Sequence, residues 1–165
     1  MTCNPDILKR NLQALGRQHV ELTRRLAETS PAKLCWTTAR CGDFSATTHD
    51  DAGRSRQMAS RFDPRAEASQ LLNEVDFDSK PCVIVLGFGL GYHVDMALKQ
   101  VGDRGLCLVY APDIARLRAV LEQMDWADML ASKRLVICDD TVDRPQLTHI
   151  FEHFNAIAAQ GTHVV

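Results

Sequence analysis

Apolar and polar residues alternate in blocks along the second half of the chain, and these blocks predict strands and helices in turn. Continuous apolar runs of four or five residues are typical of strands buried on both faces of a parallel sheet. Three such runs occur, at Cys82 to Leu86, Leu106 to Tyr110 and Leu135 to Cys138, and Thr162 starts an expected fourth strand. Apolar residues at helical spacing follow each of the three runs. The pattern therefore predicts a three-layer α/β fold whose parallel strands are joined by right-handed crossovers.

Residues 1–78 carry a different pattern, which predicts an N-terminal helix and a β-hairpin extension. Asn4, Pro5 and Asp6 have the features of a helix start, and the helix is expected to continue to Thr29, before Pro31. Its apolar positions repeat every seven residues. They are Leu8, Leu12, Leu15, Leu22 and Leu26, and His19 completes the spacing. This stripe packs within the chain or forms a homodimer with a second copy, and His19 is expected to be buried and hydrogen-bonded.

Two short strand-like runs around Gly42 predict the hairpin, with Trp36 and Phe44 on its buried face. A second turn is expected over 49–53. Asp63 and Pro64 then predict another helix start. Its buried face is expected to carry Leu71, Leu72 and Val75. Residues 79–165 form the predicted α/β domain, which ends as its fourth strand begins, so we expect it to be part of a longer protein.

Three glycines at alternate positions, Gly87, Gly89 and Gly91, connect the first strand of this domain to its helix. Glycine permits positive φ angles and close approach of a neighbour, and the following helix start offers free N–H groups. In doubly wound sheets, ligands bind at this end of the strands. The turn therefore predicts a site for a small molecule, or else a tight connection that binds nothing.

Four further residues are candidates for the same site. Tyr92 and His93 begin the helix after the glycines, and His93 is either a donor to a phosphate or carboxylate or an ordinary helix-terminus histidine. Asp113 follows the second strand and either contacts a ligand or caps the next helix. Asp139 follows the third strand, where it contacts a ligand ring or serves as a loop acid. His149 and His153 are four apart on the last predicted helix, but no third metal ligand is evident, and no metal or catalytic residue is assigned.

Composition excludes several classes of protein. The formal net charge is −2 with no basic stripe, which disfavours nucleic acid as a partner. No apolar run approaches the length of a membrane span, and no signal peptide is recognisable, so a cytoplasmic location is expected. The six cysteines contain no Cys-x-x-Cys pair. Their spacing matches no usual zinc site, and a disulfide between Cys35 and Cys41 is disfavoured in a reducing compartment.

Two stretches together resemble a known family. They are residues 60–68, which read Ser-Arg-Phe-Asp-Pro-Arg-Ala-Glu-Ala, and residues 87–93, which read Gly-Phe-Gly-Leu-Gly-Tyr-His. Both resemble the amino-terminal domain of the motility accessory factor (Maf) family, whose related proteins are named hydroxymethylpterin pyrophosphokinase-like. Ala111, Pro112 and Asp113 stand where the family commonly has an acidic residue, proline and aspartate. The resemblance covers roughly residues 5–165 of this chain.

The resemblance implies a Rossmann-like accessory domain of a protein linked to flagellin glycosylation. Family members are much longer, and their glycosyltransferase-like domain lies downstream of the part matched here. A non-catalytic role is therefore expected, either in binding a nucleotide-like ligand or in docking a protein partner such as the downstream domain. The parent protein is then a candidate glycosyltransferase.

The glycine turn also resembles the first motif of S-adenosylmethionine-dependent methyltransferases, which gives an alternative function. Those enzymes usually place an acid at the end of the second strand to bind the ribose hydroxyls. Tyr110 and Ala111 occupy that place here. Losing a charge-assisted hydrogen bond of this kind costs ~1.5–3 kcal/mol, which weighs against this cofactor. The cofactor is left open between S-adenosylmethionine and a nucleotide.

Overall fold

The computed structural model describes residues 5–50, 52–78, 82–103, 105–141 and 162–165. The helices are α1 (Pro5–Leu15), α2 (Val20–Glu28), α3 (Pro64–Leu72), α4 (Tyr92–Gln100), α5 (Ile114–Gln123) and α6 (Ala127–Leu130). The strands are β1 (Cys35–Thr38), β2 (Phe44–His49), β3 (Ser55–Gln57), β4 (Cys82–Leu86), β5 (Leu106–Tyr110), β6 (Leu135–Cys138) and β7 (Thr162–Val164).

The second half of the chain builds a four-stranded parallel sheet in the order β6-β5-β4-β7. Strand β4 pairs with β5 on one side, where Val83 faces Cys107, and with β7 on the other, where Val83 faces His163. The strand order reverses at β4, as it does in doubly wound sheets. The predicted Rossmann-like α/β fold is therefore confirmed. The helix expected near the end of the chain, with His149 and His153, lies outside the described residues.

Strand residues on both faces of this sheet are buried, which explains the continuous apolar runs. Alternate residues of the strands point to opposite faces. Val83, Val85 and Val109 belong to the main core cluster, to which each described helix contributes. Cys82 and Val136 belong to a smaller cluster. A strand that is covered on both sides has no polar positions to alternate with, so its sequence reads as one apolar block.

The N-terminal segment forms two helices, so the prediction of one helix to Thr29 is wrong. Helix α1 ends at Leu15 and α2 begins at Val20. Gly16, a poor helix former, stands at the break, where the N–H of His19 donates to the Leu15 carbonyl. The seven-residue spacing of buried positions continues across this turn although the helix does not, because His19 in the turn is also buried. Its Nε2 lies 3.4 Å from the Leu135 carbonyl oxygen.

The leucines of the predicted stripe pack inside this chain. Leu15, Leu22 and Leu26 are all buried in the main core cluster, and Leu8 and Leu12 pack against it. These leucines contact the core of their own chain, so the structure gives no support to a dimer formed through them.

The extension is a three-stranded antiparallel sheet in the order β1-β2-β3 rather than a two-stranded hairpin. Trp36 and Phe44 pack edge to face with ring centroids 6.1 Å apart, on the side predicted to be buried. The second turn leads into β3, whose three residues are all exposed. A strand without a buried face shows no apolar alternation, so its sequence did not predict it.

Helix α3 begins as predicted and buries a different face. Asp63 accepts hydrogen bonds from the N–H groups of Arg65 and Ala66, and Pro64 is the first helical residue. Ala68 and Leu72, four residues apart, are buried, whereas Leu71 is 56% exposed. The prediction of Leu71 as a core residue is therefore wrong: the small Ala68 lets α3 approach the core along the stripe that includes Leu72.

The main core cluster contains residues from both predicted units. Leu26, Ala46 and Leu72 from the extension share it with Val83 and Leu121 from the α/β part. The division at residue 78 remains a prediction about domain organisation, and the apolar packing is continuous across it.

Candidate functional site

The glycine turn after β4 takes the backbone conformation that favours glycine. Gly87, Gly89 and Gly91 have φ angles of 97°, 53° and 94°. The Gly87 N–H donates to the Tyr110 carbonyl at 2.8 Å, and the Gly91 N–H donates to the Phe88 carbonyl at 2.9 Å. The turn therefore joins β4 to α4 in a fixed shape and is anchored on the end of β5.

A cavity of about 500 Å³ opens at the carboxyl ends of β4 and β5. Its lining comes from three regions: the antiparallel sheet with the residue after it, the end of β4 with the glycine turn and the start of α4, and the end of β5 with the following loop and the start of α5. The lining residues are Thr48, Arg56, Gln57, Met58, Leu86, Gly87, Phe88, Gly89, His93, Tyr110, Ala111, Pro112, Asp113, Arg116 and Leu117. The cavity thus brings together four of the seven predicted site residues: Gly87, Gly89, His93 and Asp113.

His93 lies directly beneath the turn. Its Nε2 is 3.1 Å from the Gly87 carbonyl oxygen, to which it donates when the proton is on that nitrogen. A Cβ added at Gly89 would lie 2.9 Å from Cε1 of this ring. Burial lowers the pKa of His93, while the Gly87 hydrogen bond and the charge of Glu67 oppose that effect. The neutral ring is therefore the favoured form at neutral pH.

Gly91 and Tyr92 lie on the other side of the turn, outside the cavity lining. The Tyr92 hydroxyl donates to the Phe44 carbonyl at 2.9 Å, and its ring packs edge to face on Trp126. Burial raises the pKa of Tyr92 to about 12. A Cβ at Gly91 would lie 2.8 Å from Trp126. In the structure these two residues attach α4 to β2 and to the loop before α6.

Asp113 caps α5 at the edge of the cavity. Its Oδ1 accepts a hydrogen bond from the Arg116 N–H at 2.9 Å, and its Oδ2 lies 3.0 Å from Nη2 of the Arg116 side chain. The carboxylate is about half exposed, so it remains open to a ligand while it holds the arginine.

Asp139 is buried and engaged away from the cavity lining. It forms an ion pair with Arg25 of α2, and its Oδ1 accepts hydrogen bonds from the backbone N–H and the hydroxyl of Thr141. The neighbouring Asp140 accepts a hydrogen bond from the Tyr110 hydroxyl, and this bond raises the pKa of Tyr110. Asp139 therefore links the end of β6 to α2 in this structure.

Sequence reasoning missed two cations of the cavity, Arg56 and Arg116. Arg56 belongs to β3, a strand that the apolar pattern did not reveal. Arg116 follows Asp113 at a spacing of three, which is the usual position of a helix-cap partner. This spacing was the sequence feature from which the position of Arg116 beside Asp113 could have been predicted. It predicts an ion pair, but it does not indicate a ligand site.

The described ranges contain no cluster of three or more His, Cys, Asp or Glu side chains suited to a metal ion. No helix within them is long and apolar enough to cross a membrane. Cys35 and Cys41 are exposed free thiols, whereas Cys82, Cys107 and Cys138 are buried. Burial raises the pKa of these three thiols to about 11, 12 and 11, which suppresses their nucleophilic thiolate forms.

The buried His93 predicts a loss of stability on the acid side. Its folded pKa lies below the ordinary value of 6.5, so below that pH the unfolded chain binds the proton better than the folded chain does. The free energy of unfolding should fall as the pH falls from 6.5 through the folded pKa. His93→Gln should make this decline shallower in urea unfolding measured across that range. Equal slopes for His93→Gln and the unchanged protein would contradict the prediction.

No known family model matches the sequence, and no curated protein matches it. A solved structure, that of a Maf glycosyltransferase from Magnetospirillum magneticum AMB-1, is similar to the chain with a TM-score of 0.62 and 16% identity. The chain shares the fold of part of that protein.

The match covers 98% of this chain and 32% of the Maf glycosyltransferase, so the chain spans about a third of that protein's length. At this identity the likeness concerns the fold. The matched protein carries the name of the family that the sequence motifs resemble.

Proposed function

We propose that this chain is the non-catalytic, Rossmann-like N-terminal domain of a Maf-like glycosyltransferase-associated protein, and that it binds a nucleotide-like ligand in the cavity beside the glycine turn. The cavity carries this proposal, because it lies at the carboxyl ends of β4 and β5, where strand order reverses. Open α/β sheets bind their ligands at this position. Its volume is also within the usual range for small-molecule sites.

The lining has the mixed chemistry that a nucleotide requires. Apolar surface is supplied by Met58, Leu86 and Leu117, and polar groups by Thr48 and Gln57, in addition to the charged side chains. A Cβ at Gly87 would meet no atom within 4 Å, so the backbone there is open to a ligand.

This proposal gives the buried cysteines and His93 no catalytic role. The buried thiols have raised pKa values, and the His93 ring nitrogen is directed at a backbone carbonyl. Such groups serve packing and positioning. In this proposal the glycosyl-transfer chemistry belongs to another part of the parent protein.

The alternative, a methyltransferase-like domain, is less well supported by the same cavity. The residue at the end of β5 is Tyr110, and its hydroxyl donates to Asp140. Asp113, the nearest carboxylate along the chain, is used as a helix cap and ion-pair partner. A ribose diol would therefore compete with Arg116 for that carboxylate. Direct binding experiments separate the two functions.

Thermal unfolding in the presence of nucleosides, nucleotides, nucleotide sugars and S-adenosylmethionine tests the proposal. A ligand at a hundred times its dissociation constant adds ~2.7 kcal/mol, which should raise the unfolding midpoint of a domain of this size by roughly 5–10 °C. The compound that gives the shift distinguishes a nucleotide site from a methyltransferase site.

Leu86→Trp should abolish the shift, because it fills the cavity from a side chain that is already 64% exposed. Leu71→Trp is the matched control, since Leu71 is 56% exposed on α3 and lies outside the cavity lining. If no compound produces a shift, the ligand proposal is wrong, and docking of a protein partner such as the downstream domain becomes the function to test. A shift that survives Leu86→Trp would place the ligand elsewhere.

A further inference from the structure

The charge of the cavity lining is opposite in sign to the net charge of the whole chain. The chain has a formal net charge of −2, whereas the cavity lining carries two guanidinium groups, Arg56 and Arg116, and the single carboxylate of Asp113. His93 is favoured in its neutral form, for the reasons given above. The lining therefore has a net positive charge, although nothing in the overall composition indicates a preference for anions.

Arg116 has an unused donor. Its Nε is buried, and no residue in the described ranges accepts a hydrogen bond from it. The Asp113 carboxylate contacts Nη2, on another part of the same guanidinium group. Arg116 therefore keeps hydrogen-bonding capacity that the described residues do not use, on a side chain that belongs to the cavity lining.

Arg56 brings a second cation from the wall formed by the antiparallel sheet. Its Nε is 3.4 Å from Asp50 Oδ2, whereas Arg54 approaches the same oxygen at 2.8 Å. One carboxylate is thus shared by two arginines and is closer to Arg54. The Arg56 side chain is also 62% exposed, so it is available at the rim of the cavity and its charge is only partly balanced.

We propose that this cavity recognises its ligand through a phosphate ester, with Arg116 as the principal anion contact and Arg56 as a second contact from the facing wall. The inference rests on the proposed function and specifies the ligand class as nucleoside phosphates. Guanidinium groups suit phosphate because their planar donors match its oxygens. The sulfonium cation of S-adenosylmethionine would meet the same two positive charges at a disadvantage.

Titration calorimetry on the 165-residue chain tests this inference. The probes are the common ribonucleosides, their 5′-monophosphates and 5′-diphosphates, and inorganic pyrophosphate. Phosphorylated forms should bind at least about tenfold more tightly than the parent nucleoside, as expected for a charge-assisted contact. Arg116→Gln should remove most of that advantage while leaving nucleoside binding unchanged. Arg116→Lys should restore part of it, since it keeps the charge without the planar fork.

Arg56→Gln should weaken nucleotide binding severalfold and reduce its dependence on salt, because an exposed cation acts through a screened field. Arg54→Gln is its matched control: Arg54 also contacts Asp50, is exposed, and lies outside the cavity lining. It should bind nucleotides as the unchanged protein does. Circular dichroism of each variant establishes that the fold is retained.

The outcomes separate this inference from the function on which it rests. Equal binding of nucleoside and nucleotide, or a phosphate advantage that survives Arg116→Gln, would overturn the phosphate contact and leave the nucleotide-like site standing. Pyrophosphate that binds as tightly as the nucleotide, with the same dependence on Arg116, would support the anion contact and overturn the nucleotide proposal. Absence of binding by every probe would overturn both.

Discussion

Gly91→Ala is expected to lower the free energy of unfolding by about 2–6 kcal/mol. Gly91 has a φ of 94°, a conformation that costs other residues ~1–3 kcal/mol. The new Cβ would also lie 2.8 Å from Trp126 and 3.1 Å from Phe88. Both rings are buried in the core, so neither can move aside freely, and overpacking of this kind costs a further ~1–3 kcal/mol. Urea unfolding measures the change.

Gly87→Ala is the matched control for that variant. Its φ of 97° is almost the same, but a Cβ there would meet no atom within 4 Å. It should therefore lose only the conformational part, about 1–3 kcal/mol. The difference between the two variants measures the contacts with Trp126 and Phe88. If both variants are destabilised equally, packing against these rings has no part in fixing the turn.

Asn11→Leu is expected to destabilise the chain by at least about 3 kcal/mol, although leucine has the same branching at Cγ and a higher helix propensity. Asn11 is completely buried in α1. Its Nδ2 donates to the carbonyls of Leu121 and Met124 at 2.8 and 2.7 Å, and its Oδ1 accepts from the Trp126 N–H at 2.9 Å. The substitution would leave three buried backbone groups without partners, each at a cost of ~1–3 kcal/mol.

Asn73→Leu is the comparison for Asn11→Leu, because Asn73 is exposed at the end of α3. A surface change of this kind normally alters stability by less than about 0.5 kcal/mol. Urea unfolding of both variants gives the two values. A loss of less than about 1 kcal/mol in Asn11→Leu would show that water or local rearrangement satisfies the backbone groups, and that this side chain does not fix the path from α5 to α6.

The parallel sheet was predictable because its physics is local in sequence. A strand covered on both faces is apolar throughout, so the apolar runs were recognisable as strands. They are Cys82 to Leu86, Leu106 to Tyr110 and Leu135 to Cys138. The glycine turn was equally clear, since three positive φ angles require residues without a Cβ. The helix start at Asp63 and Pro64 followed from the same kind of local chemistry.

The errors arose where distant contacts decide the structure. His19 fitted a helical repeat, yet it is buried at a break between two helices, where it meets a strand more than a hundred residues away. The burial of Asn11 was not predicted, because a polar residue inside a helix is ordinarily solvated. Strand β3 is exposed and its sequence gives no periodic signal, so Arg56 was not expected at the site. A local sequence pattern does not show which distant residues such side chains will contact.

Both parts of the chain contribute residues to the cavity, and this affects whether either part could evolve as a separate module. Thr48, Arg56 and Met58 come from the first 78 residues, while the glycine turn and Arg116 come from the remainder. Recombination at residue 78 would separate the two walls, so neither piece would inherit the complete cavity. If the proposed ligand binds there, selection on its binding would keep the extension and the Rossmann-like part together as one heritable unit, even though their strands belong to separate sheets.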